Sequence, residues 1–476
     1  MDNQLKIALP KGRLQTETAD WLEKAGWGLN DYQEGSRSYR LKSERFPSLF
    51  AKVFHEKDVP VQVAVGNYDL GICGRDWVEE LLVKYPSAAL VKVRNLGYGA
   101  SALYMAASRS FPCAEEMKAR GEITRIASEY PNLAESFALN LRLKRFSVFP
   151  LWGAAEAYPP ESAELALLAG TPDAEYFNHD LMAISKVLDS NAYLIANKSS
   201  WEKKDLSQVL ASLKDNDSVV SEPHSSVTVK EKAVKSTGAY SSVETAGGML
   251  CLALPDGHQQ EPAAEVLRRA GIRVDDYPSS NGNRRPTSSL DGVAIKVIRP
   301  QDMPLQVANG NFDLAITGRD WLNEHLYQFP ASPVTGLLDL KFGWVRLVAV
   351  VTNDLPVDSV YGLKQLYAAR SVPIRIASEY VNVADKYARD NLLGMYRVIP
   401  TWGATEAFLP EDADLLIENT QTGRTLAQHN LKIIDTLFES TACLIGNKNS
   451  LACPVVAKKM KSIIATLKAA VESSAK

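Results

Sequence analysis

What this chain lacks narrows its class before any motif is read. Its five cysteines, Cys73, Cys113, Cys251, Cys443 and Cys453, are scattered with no Cys-x-x-Cys pair. That argues against a disulfide frame or a zinc site and for thiols in a reducing cytosol. The six histidines (His55, His179, His224, His258, His325 and His429) stand alone, without metal-ligand spacing. No apolar run approaches the ~18 residues that span a bilayer. The amino terminus, Met1-Asp2-Asn3-Gln4-Leu5-Lys6, lacks the basic-then-apolar layout of a signal peptide. A cytoplasmic protein with no membrane partner is therefore expected. A formal net charge of -3 gives no basic surplus, which argues against a nucleic-acid partner. Neither a Gly-x-Ser-x-Gly elbow nor a Walker loop occurs.

The chain does contain a repeat. At 476 residues it exceeds one compact core, since domains hold about 100–200 residues. Ile126-Ala127-Ser128-Glu129-Tyr130 recurs as Ile376-Ala377-Ser378-Glu379-Tyr380. At the same shift, Trp152-Gly153-Ala154-Ala155-Glu156-Ala157 recurs as Trp402-Gly403-Ala404-Thr405-Glu406-Ala407. Gly74-Arg75-Asp76-Trp77 returns as Gly318-Arg319-Asp320-Trp321, and Ala8-Leu9-Pro10 as Ala253-Leu254-Pro255, at slightly smaller shifts. The period is far longer than that of a solenoid, so each copy is expected to be a domain-scale unit. The expected boundaries are 1–215 for the first copy and 248–476 for the second. Between them, 216–247 is rich in Ser, Thr, Lys, Val and Glu, with Pro223 and Gly247-Gly248 toward its far end. That composition suits a linker, although Val227-Thr228-Val229 leaves open a short strand docked on a neighbour.

Residues 5–9 form a short apolar run suited to a buried strand, Pro10-Lys11-Gly12 a turn, and Leu14, Trp21, Leu22 and Ala25 recur at helical spacing. Residues 69–73 read as a strand and 75–82 as a helix. Further strands are expected at 125–127, 146–148, 164–167 and 192–195, mostly alternating with helices. Trp77 and Trp321 read as core anchors of a helix, and the Gly-Asn-Tyr-Asp and Gly-Asn-Phe-Asp stretches as lead-ins to strands. The alternation gives an α/β fold class with open sheets, in which ligands bind beyond the carboxyl ends of the strands.

The most informative stretch is Asp414-Leu415-Leu416-Ile417-Glu418-Asn419-Thr420-Gln421-Thr422-Gly423-Arg424-Thr425-Leu426. It reads as an apolar strand, tipped by an acid, that runs into a turn opening a helix. Backbone N–H groups at such a turn suit a phosphate. Gly423 admits close approach of the backbone, and Thr422 and Thr425 supply hydroxyls. Glu418 is placed to accept ribose hydroxyl protons or to face the Mg²⁺ that accompanies a pyrophosphate. Taken alone, a Thr-Gly-x-Thr turn is more often a plain helix cap; its length and the flanking acid favour the phosphate. In the first copy the same positions read Leu168-Ala169-Gly170-Thr171-Pro172-Asp173-Ala174-Glu175. Pro172 removes an N–H, and Asp173 and Glu175 repel an anion, so this subsite is expected to be lost there.

The front turn shows the reverse asymmetry. Pro10-Lys11-Gly12-Arg13 aims two cations where a phosphate could lie, whereas the second copy has Pro255-Asp256-Gly257-His258. The first copy also carries Arg37 within Ser36-Arg37-Ser38-Tyr39-Arg40. No arginine aligns with it near Ser280-Asn281, although Arg284 and Arg285 come soon after. Any one of these arginines taken alone is more often a solvated surface charge. Their complementary loss and retention argues for a division of labour.

On these residues each copy resembles the catalytic subunit of ATP phosphoribosyltransferase in its short form. In the first copy the likeness rests on Leu9-Pro10-Lys11-Gly12-Arg13, Asp58-Val59-Pro60, Asp69-Leu70-Gly71-Ile72-Cys73-Gly74-Arg75-Asp76, Arg125-Ile126-Ala127-Ser128-Glu129-Tyr130-Pro131-Asn132 and Ala192-Tyr193-Leu194-Ile195-Ala196-Asn197. In the second it rests on Asp302-Met303-Pro304, Asp313-Leu314-Ala315-Ile316-Thr317-Gly318-Arg319-Asp320, Arg375-Ile376-Ala377-Ser378-Glu379-Tyr380-Val381-Asn382 and the loop after Glu418. The resemblance implies two lobes per copy, like type II periplasmic binding proteins, around a cleft for ATP and phosphoribosyl pyrophosphate. It implies Mg²⁺ at Glu418, an oligomer, and a histidyl-tRNA-synthetase-like regulatory subunit. The segment after Asn447 is long enough for a helix but not for the long form's regulatory domain. The resemblance places Glu418, Thr420, Gln421, Thr422, Gly423, Arg424, Thr425, Asp313, Gly318 and Arg319 among the substrate-binding residues. It places Arg37, Arg13 and Lys11 among the catalytic ones, Arg37 matching an arginine that reaches into a neighbouring subunit's site.

The expected function is the joining of N1 of ATP to the ribose of phosphoribosyl pyrophosphate with release of pyrophosphate, the first step of histidine biosynthesis. No side-chain nucleophile is needed; alignment, Mg²⁺ and cations on the departing group suffice. The second copy lacks the Lys-Gly-Arg turn that the family uses in its own cleft. That keeps open a catalytically weak regulatory paralogue that pairs with an active subunit. A solute-binding module is a third reading, against which the missing signal peptide counts. The enzymatic reading predicts that Thr422→Pro, which copies Pro172, abolishes pyrophosphate release; an unmoved activity disproves the loop. Arg37→Ala is expected to lower the same release, and an unchanged rate disproves a site completed by the first copy.

Overall fold

In both repeats the chain lays down one sheet, crosses to a second, and returns to finish the first. The computed structural model describes residues 4–36, 38–109, 123–177, 181–213, 249–279, 282–368 and 372–473. The expected linker 216–247 with Val227-Thr228-Val229 lies outside the described residues, as do Arg37, Cys113, His179, His224 and the Ser280-Asn281 pair. The first repeat holds β1 (Lys6–Lys11), β2 (Arg40–Leu41), β3 (Phe50–His55), β4 (Leu70–Gly74), β5 (Leu90–Asn95), β6 (Ser101–Ser108), β7 (Thr124–Ser128), β8 (Phe146–Pro150), β9 (Leu165–Gly170), β10 (Tyr176–Phe177), β11 (Leu181–Ser190) and β12 (Ala192–Asn197). They form two sheets, β2-β3-β1-β4-β12-β5 and β10-β11-β6-β9-β7-β8.

The second repeat holds β13 (Leu250–Pro255), β14 (Val274–Asp275), β15 (Thr287–Ser288), β16 (Val293–Ile298), β17 (Leu314–Gly318), β18 (Val334–Asp339), β19 (Val345–Thr352), β20 (Ile374–Ser378), β21 (Tyr396–Pro400), β22 (Leu415–Thr420), β23 (Leu431–Ser440) and β24 (Ala442–Asn447). Its sheets, β16-β13-β17-β24-β18 and β21-β20-β22-β19-β23, reproduce the strand order of the first repeat, with β14-β15 as an added pair. Each repeat is thus a two-lobed α/β unit, as the family resemblance implied.

Strands β4, β17, β12 and β24 are buried at every residue, which explains why they read as unbroken apolar runs rather than as alternations. One detail differs from expectation. Pro10 and Lys11 continue β1, in parallel register with Phe54 and His55, and the turn begins only at Gly12, whose φ is 107°. Proline lacks a donor but still offers its carbonyl, which here accepts the Tyr32 hydroxyl at 2.8 Å.

The lobes of each repeat are tied by the same pair of contacts. In the second, the helix Arg319–Gln328 of one lobe sends Asp320 to the Tyr380 hydroxyl (2.6 Å) and Glu324 to the N–H groups of Asn382 and Val383 (2.8 Å each). The latter are orphan donors at the start of the helix Val381–Asp390, where a carboxylate also suits the helix dipole. In the first, Asp76 meets Tyr130 (3.2 Å) and Glu80 meets Asn132 and Leu133 (2.9 Å each). Trp321 is buried and stacks on Tyr380 at 4.3 Å. Trp77 is half-buried and stacks on Tyr130 at 4.2 Å, with the Lys57 ammonium 4.8 Å from its ring.

The chain gathers into two compact units, each of which takes a short segment from the other repeat. Unit one comprises Met1–Pro150, Ala163–Ser236 and Thr401–Ala407, as far as these are described. Ala407 is fully buried in the core built on Ile7, Leu9, Leu22 and Trp27. Unit two comprises Leu151–Ser162, Thr237–Pro400 and Phe408–Lys476. Within it Trp152 lies 5.7 Å from Trp321 and its N–H donates to Asp302. Glu156 accepts from Arg284 at 2.9 Å, and Glu161 accepts from Arg285 at 2.7 Å and Lys296 at 2.9 Å. Burial opposes ionisation of Glu161, but the hydrogen bond from Arg285 and the charge of Lys296 win and hold its carboxyl at about 2.

Glu161→Gln leaves the buried Lys296 ammonium without a counter-charge. The expected loss is about 1–3 kcal/mol in chemical denaturation, reduced from the fully buried case because Glu161 is partly exposed. The depressed carboxyl stabilises the fold above its unfolded value near 4.5 and ceases to do so toward pH 2. The difference between wild type and variant should therefore shrink as pH falls through that window.

Candidate active site

Strand β22 carries Glu418, Asn419 and Thr420 to its carboxyl end, where Thr420 is buried and Gln421, Thr422 and Arg424 are exposed. Gly423 takes a left-handed φ of 73° and precedes the helix Arg424–Gln428. The turn holds its own shape: the Thr420 hydroxyl accepts the Gly423 N–H at 2.9 Å, and the Thr422 hydroxyl accepts the Arg424 N–H at 3.3 Å. In the first repeat β9 ends at Gly170, and Asp173 occupies the same left-handed position with a φ of 64°. Among the described residues no helix follows it before β10, which is antiparallel to β11, and Asp173 pairs with Lys186 at 3.1 Å. With Pro172 and Asp173 the strand-loop-helix of the second repeat becomes a strand, a turn and a second strand.

Behind the second repeat's loop runs a buried relay. The Asn419 amide donates to the Tyr380 oxygen at 2.9 Å, and the Tyr380 hydroxyl donates to Asp320 at 2.6 Å. Asp320 accepts a second bond from the Ser440 hydroxyl at 2.8 Å. Burial, then the Asp320 carboxylate, push the Tyr380 phenol well above its ordinary range, so it stays a donor. Ser378 donates to the Ile417 carbonyl at 2.6 Å, and Glu418 accepts the Asn419 N–H at 2.9 Å. These bonds fix the strand that carries the loop. In the first repeat Ala169 stands in place of Asn419, and Arg13 instead supplies the second donor to the Asp76 carboxylate, at 3.1 Å.

The structure brings Glu418, Thr420, Gln421, Thr422, Gly423, Arg424 and Thr425 together at one strand end. Asp313 stands just before β17, a strand of the repeat's other sheet, roughly 16 Å from Gly318 by strand rise, where it accepts from the Cys251 N–H (2.8 Å) and the Ser450 hydroxyl (2.6 Å). A Cβ at Gly318 would run into Asp320 Oδ1, so a larger residue there would displace the carboxylate that meets Tyr380. Arg319 is half exposed and lies 3.6 Å from Asp339.

Lys11 and Arg13 belong to unit one. The Arg13 guanidinium is engaged by Asp76 (3.1 Å) and Glu56 (3.4 Å), and Lys11 donates to the Tyr39 hydroxyl at 3.3 Å. Burial, then the charges of Lys57 and Lys11, lower His55 to about 4, so it stays neutral. In unit two the corresponding front turn carries Asp256, closed by Arg284 at 2.7 Å and Arg299 at 3.2 Å. Among the described residues no three His, Cys, Asp or Glu side chains gather as a metal site.

Sequence reasoning missed Asn419, Tyr380 and Arg346. Arg346 lies on β19 directly opposite Thr420, half-buried, with its Nε shut from solvent and without a hydrogen-bond partner. Aligning the two repeats residue by residue would have exposed two of them, because Ala169 and Ala102 hold the equivalent positions in the first repeat.

Tyr380→Phe removes the partner of both the Asn419 amide and one Asp320 oxygen. We expect a loss of about 1–3 kcal/mol in chemical denaturation. Tyr130→Phe should cost less, because Arg13 still serves Asp76.

Known proteins resemble this chain across both repeats. The family model described as ATP phosphoribosyltransferase matches residues 55–215 and 299–469. The ATP phosphoribosyltransferase of Chlorobaculum parvum is 30% identical over 239 residues, covering 49% of this chain and 76% of the relative. That of Methanocaldococcus jannaschii is 32% identical over 223 residues, covering 46% of this chain and 72% of the relative. Among solved structures, the ATP phosphoribosyl transferase (HisG:HisZ) complex from Thermotoga maritima aligns with a TM-score of 0.39 and 22% identity, over 47% of this chain and 100% of that chain. No helix among the described residues is long and apolar enough to cross a membrane.

Proposed function

The chain belongs to the ATP phosphoribosyltransferase family, and we propose that its loop 420–425 is the seat of the 5-phosphate of phosphoribosyl pyrophosphate. The family reaction joins N1 of ATP to the ribose with release of pyrophosphate and opens histidine biosynthesis. One observation carries the assignment to the second repeat. There β22 leads through a left-handed Gly423 into a helix, whereas in the first repeat β9 leads through a turn bearing Pro172 and Asp173 into the short strand β10.

The loop's backbone N–H groups and the hydroxyls of Thr422 and Thr425 bind the phosphate, and Glu418 accepts from the ribose hydroxyls. With the ribose so fixed, N1 of ATP attacks the anomeric carbon opposite the departing pyrophosphate, and the configuration inverts. Alignment of the two substrates supplies most of the acceleration. Glu418 is the residue that would hold a Mg²⁺ ion, which when bound would offset the charge of the departing pyrophosphate. The relay from Asn419 through Tyr380 to Asp320 holds the strand beneath the sugar.

The test is pyrophosphate release by the full chain with ATP, phosphoribosyl pyrophosphate and Mg²⁺, with phosphoribosyl-ATP measured by absorbance. Glu418→Ala is expected to reduce kcat/KM at least ~tenfold, the scale of one lost charge-assisted contact. Undiminished turnover in that variant sinks the site assignment. The closure of Asp256 by Arg284 and Arg299 favours a second reading, in which the chain regulates an active subunit. Silence of the wild type, both alone and with a histidyl-tRNA-synthetase-like regulatory subunit, would select it.

A further inference from the structure

We propose that Arg346 binds the substrate's 5-phosphate, a role that rests on the assignment of the loop 420–425 as that phosphate's seat. Strands β19 and β22 are antiparallel, and Arg346 stands directly opposite Thr420. Opposed residues of such a pair send their side chains to the same face, with Cβ atoms about 4.5–5.5 Å apart. On that face the Thr420 hydroxyl holds the Gly423 N–H at 2.9 Å. The arginine side chain therefore rises beside the loop.

The strand on its other side does not draw it away. Strand β23 sets Glu439 opposite Arg346, yet that carboxylate is met by the Trp344 indole N–H, at 3.4 Å. The Trp344 ring lies 5.9 Å from the guanidinium carbon, which steadies a planar cation without neutralising it. Arg346 Nε is buried with no acceptor, an arrangement that costs free energy until an anion supplies one. A phosphate monoester offers acceptors in a geometry that a guanidinium matches two at a time.

The first repeat provides the control. Its β6 and β9 pair in the equivalent register, and Ala102 stands opposite Gly170. The strand there runs into the Pro172–Asp173 turn, where a proline removes an N–H and a carboxylate repels a phosphate. Arginine and loop occur together in one repeat and are absent together from the other, within one chain. That pairing is what a shared ligand requires, since a cation beside an empty turn would serve nothing.

Ribose 5-phosphate, which carries the monoester without the pyrophosphate, is the probe. It is titrated calorimetrically into the full chain as wild type, Arg346→Gln and Arg346→Lys. Glutamine keeps the stem beside Trp344, and lysine keeps the charge, so a lost fold is separated from a lost contact. Arg346→Gln should bind the probe roughly ten- to hundredfold more weakly, the range of a charge-assisted hydrogen bond, with Arg346→Lys in between. In turnover, Arg346→Gln should lower kcat/KM for phosphoribosyl pyrophosphate by a like factor and leave KM for ATP unmoved. Wild-type binding of the probe that Arg346→Gln retains overturns the proposal, as does a wild type that does not bind it. Probe binding through Arg346 without any pyrophosphate release sinks the catalytic reading and leaves this one standing. Release with an unaltered kcat/KM in Arg346→Gln sinks this one alone.

Discussion

The Tyr380 hydroxyl is the point through which the second repeat's parts communicate. It joins Asp320, on the first helix after β17, to Asn419, on the strand that carries the loop 420–425. A buried aspartate is tolerable only if its oxygens are satisfied, and here Tyr380 and Ser440 divide that duty. The same bonds that make burial tolerable also set the loop's distance from the other lobe. Glu324, capping the helix that starts after Tyr380, closes the angle a second time. The hinge is thus a pair of carboxylates from one helix gripping one strand-to-helix corner.

Both repeats keep that grip and differ in what they build around it. In the first, Arg13 reaches Asp76 and Glu56, so a cation is committed inside the lobe junction. In the second, the Ser440 hydroxyl gives Asp320 its second bond, and arginine appears elsewhere, opposite Thr420 and around Asp256. The cation is kept while its position moves. Duplication permits this: one copy can hold the architecture while the other keeps the chemistry.

Much of the architecture was legible. The apolar runs at β1, β4, β7, β9 and β12 are short and bounded by turns, and burial on both faces leaves no other reading. The turn from β22 into a helix at 420–425 was legible because its residues are contiguous. Arg13 was legible as a cation but not as a committed one, since Glu56 and Asp76 lie far from it in sequence and no spacing links them. Arg346 was hidden near the start of a strand that is otherwise apolar as far as Thr352, so no alternation in the sequence marks its face. Its meaning came from register, which pairs it with Thr420, far along the chain.

The exchange of segments bears on how the chain is made. Unit one needs Ala407 for its first core, but that residue leaves the ribosome only after most of the second repeat. Domains generally fold as they emerge, amino-terminal first. Here the leading unit must wait with part of its apolar interior unsealed until its last plug is synthesised. A message cut between the repeats would therefore yield a first unit without its 401–407 segment and with the place of Ala407 in the core unfilled.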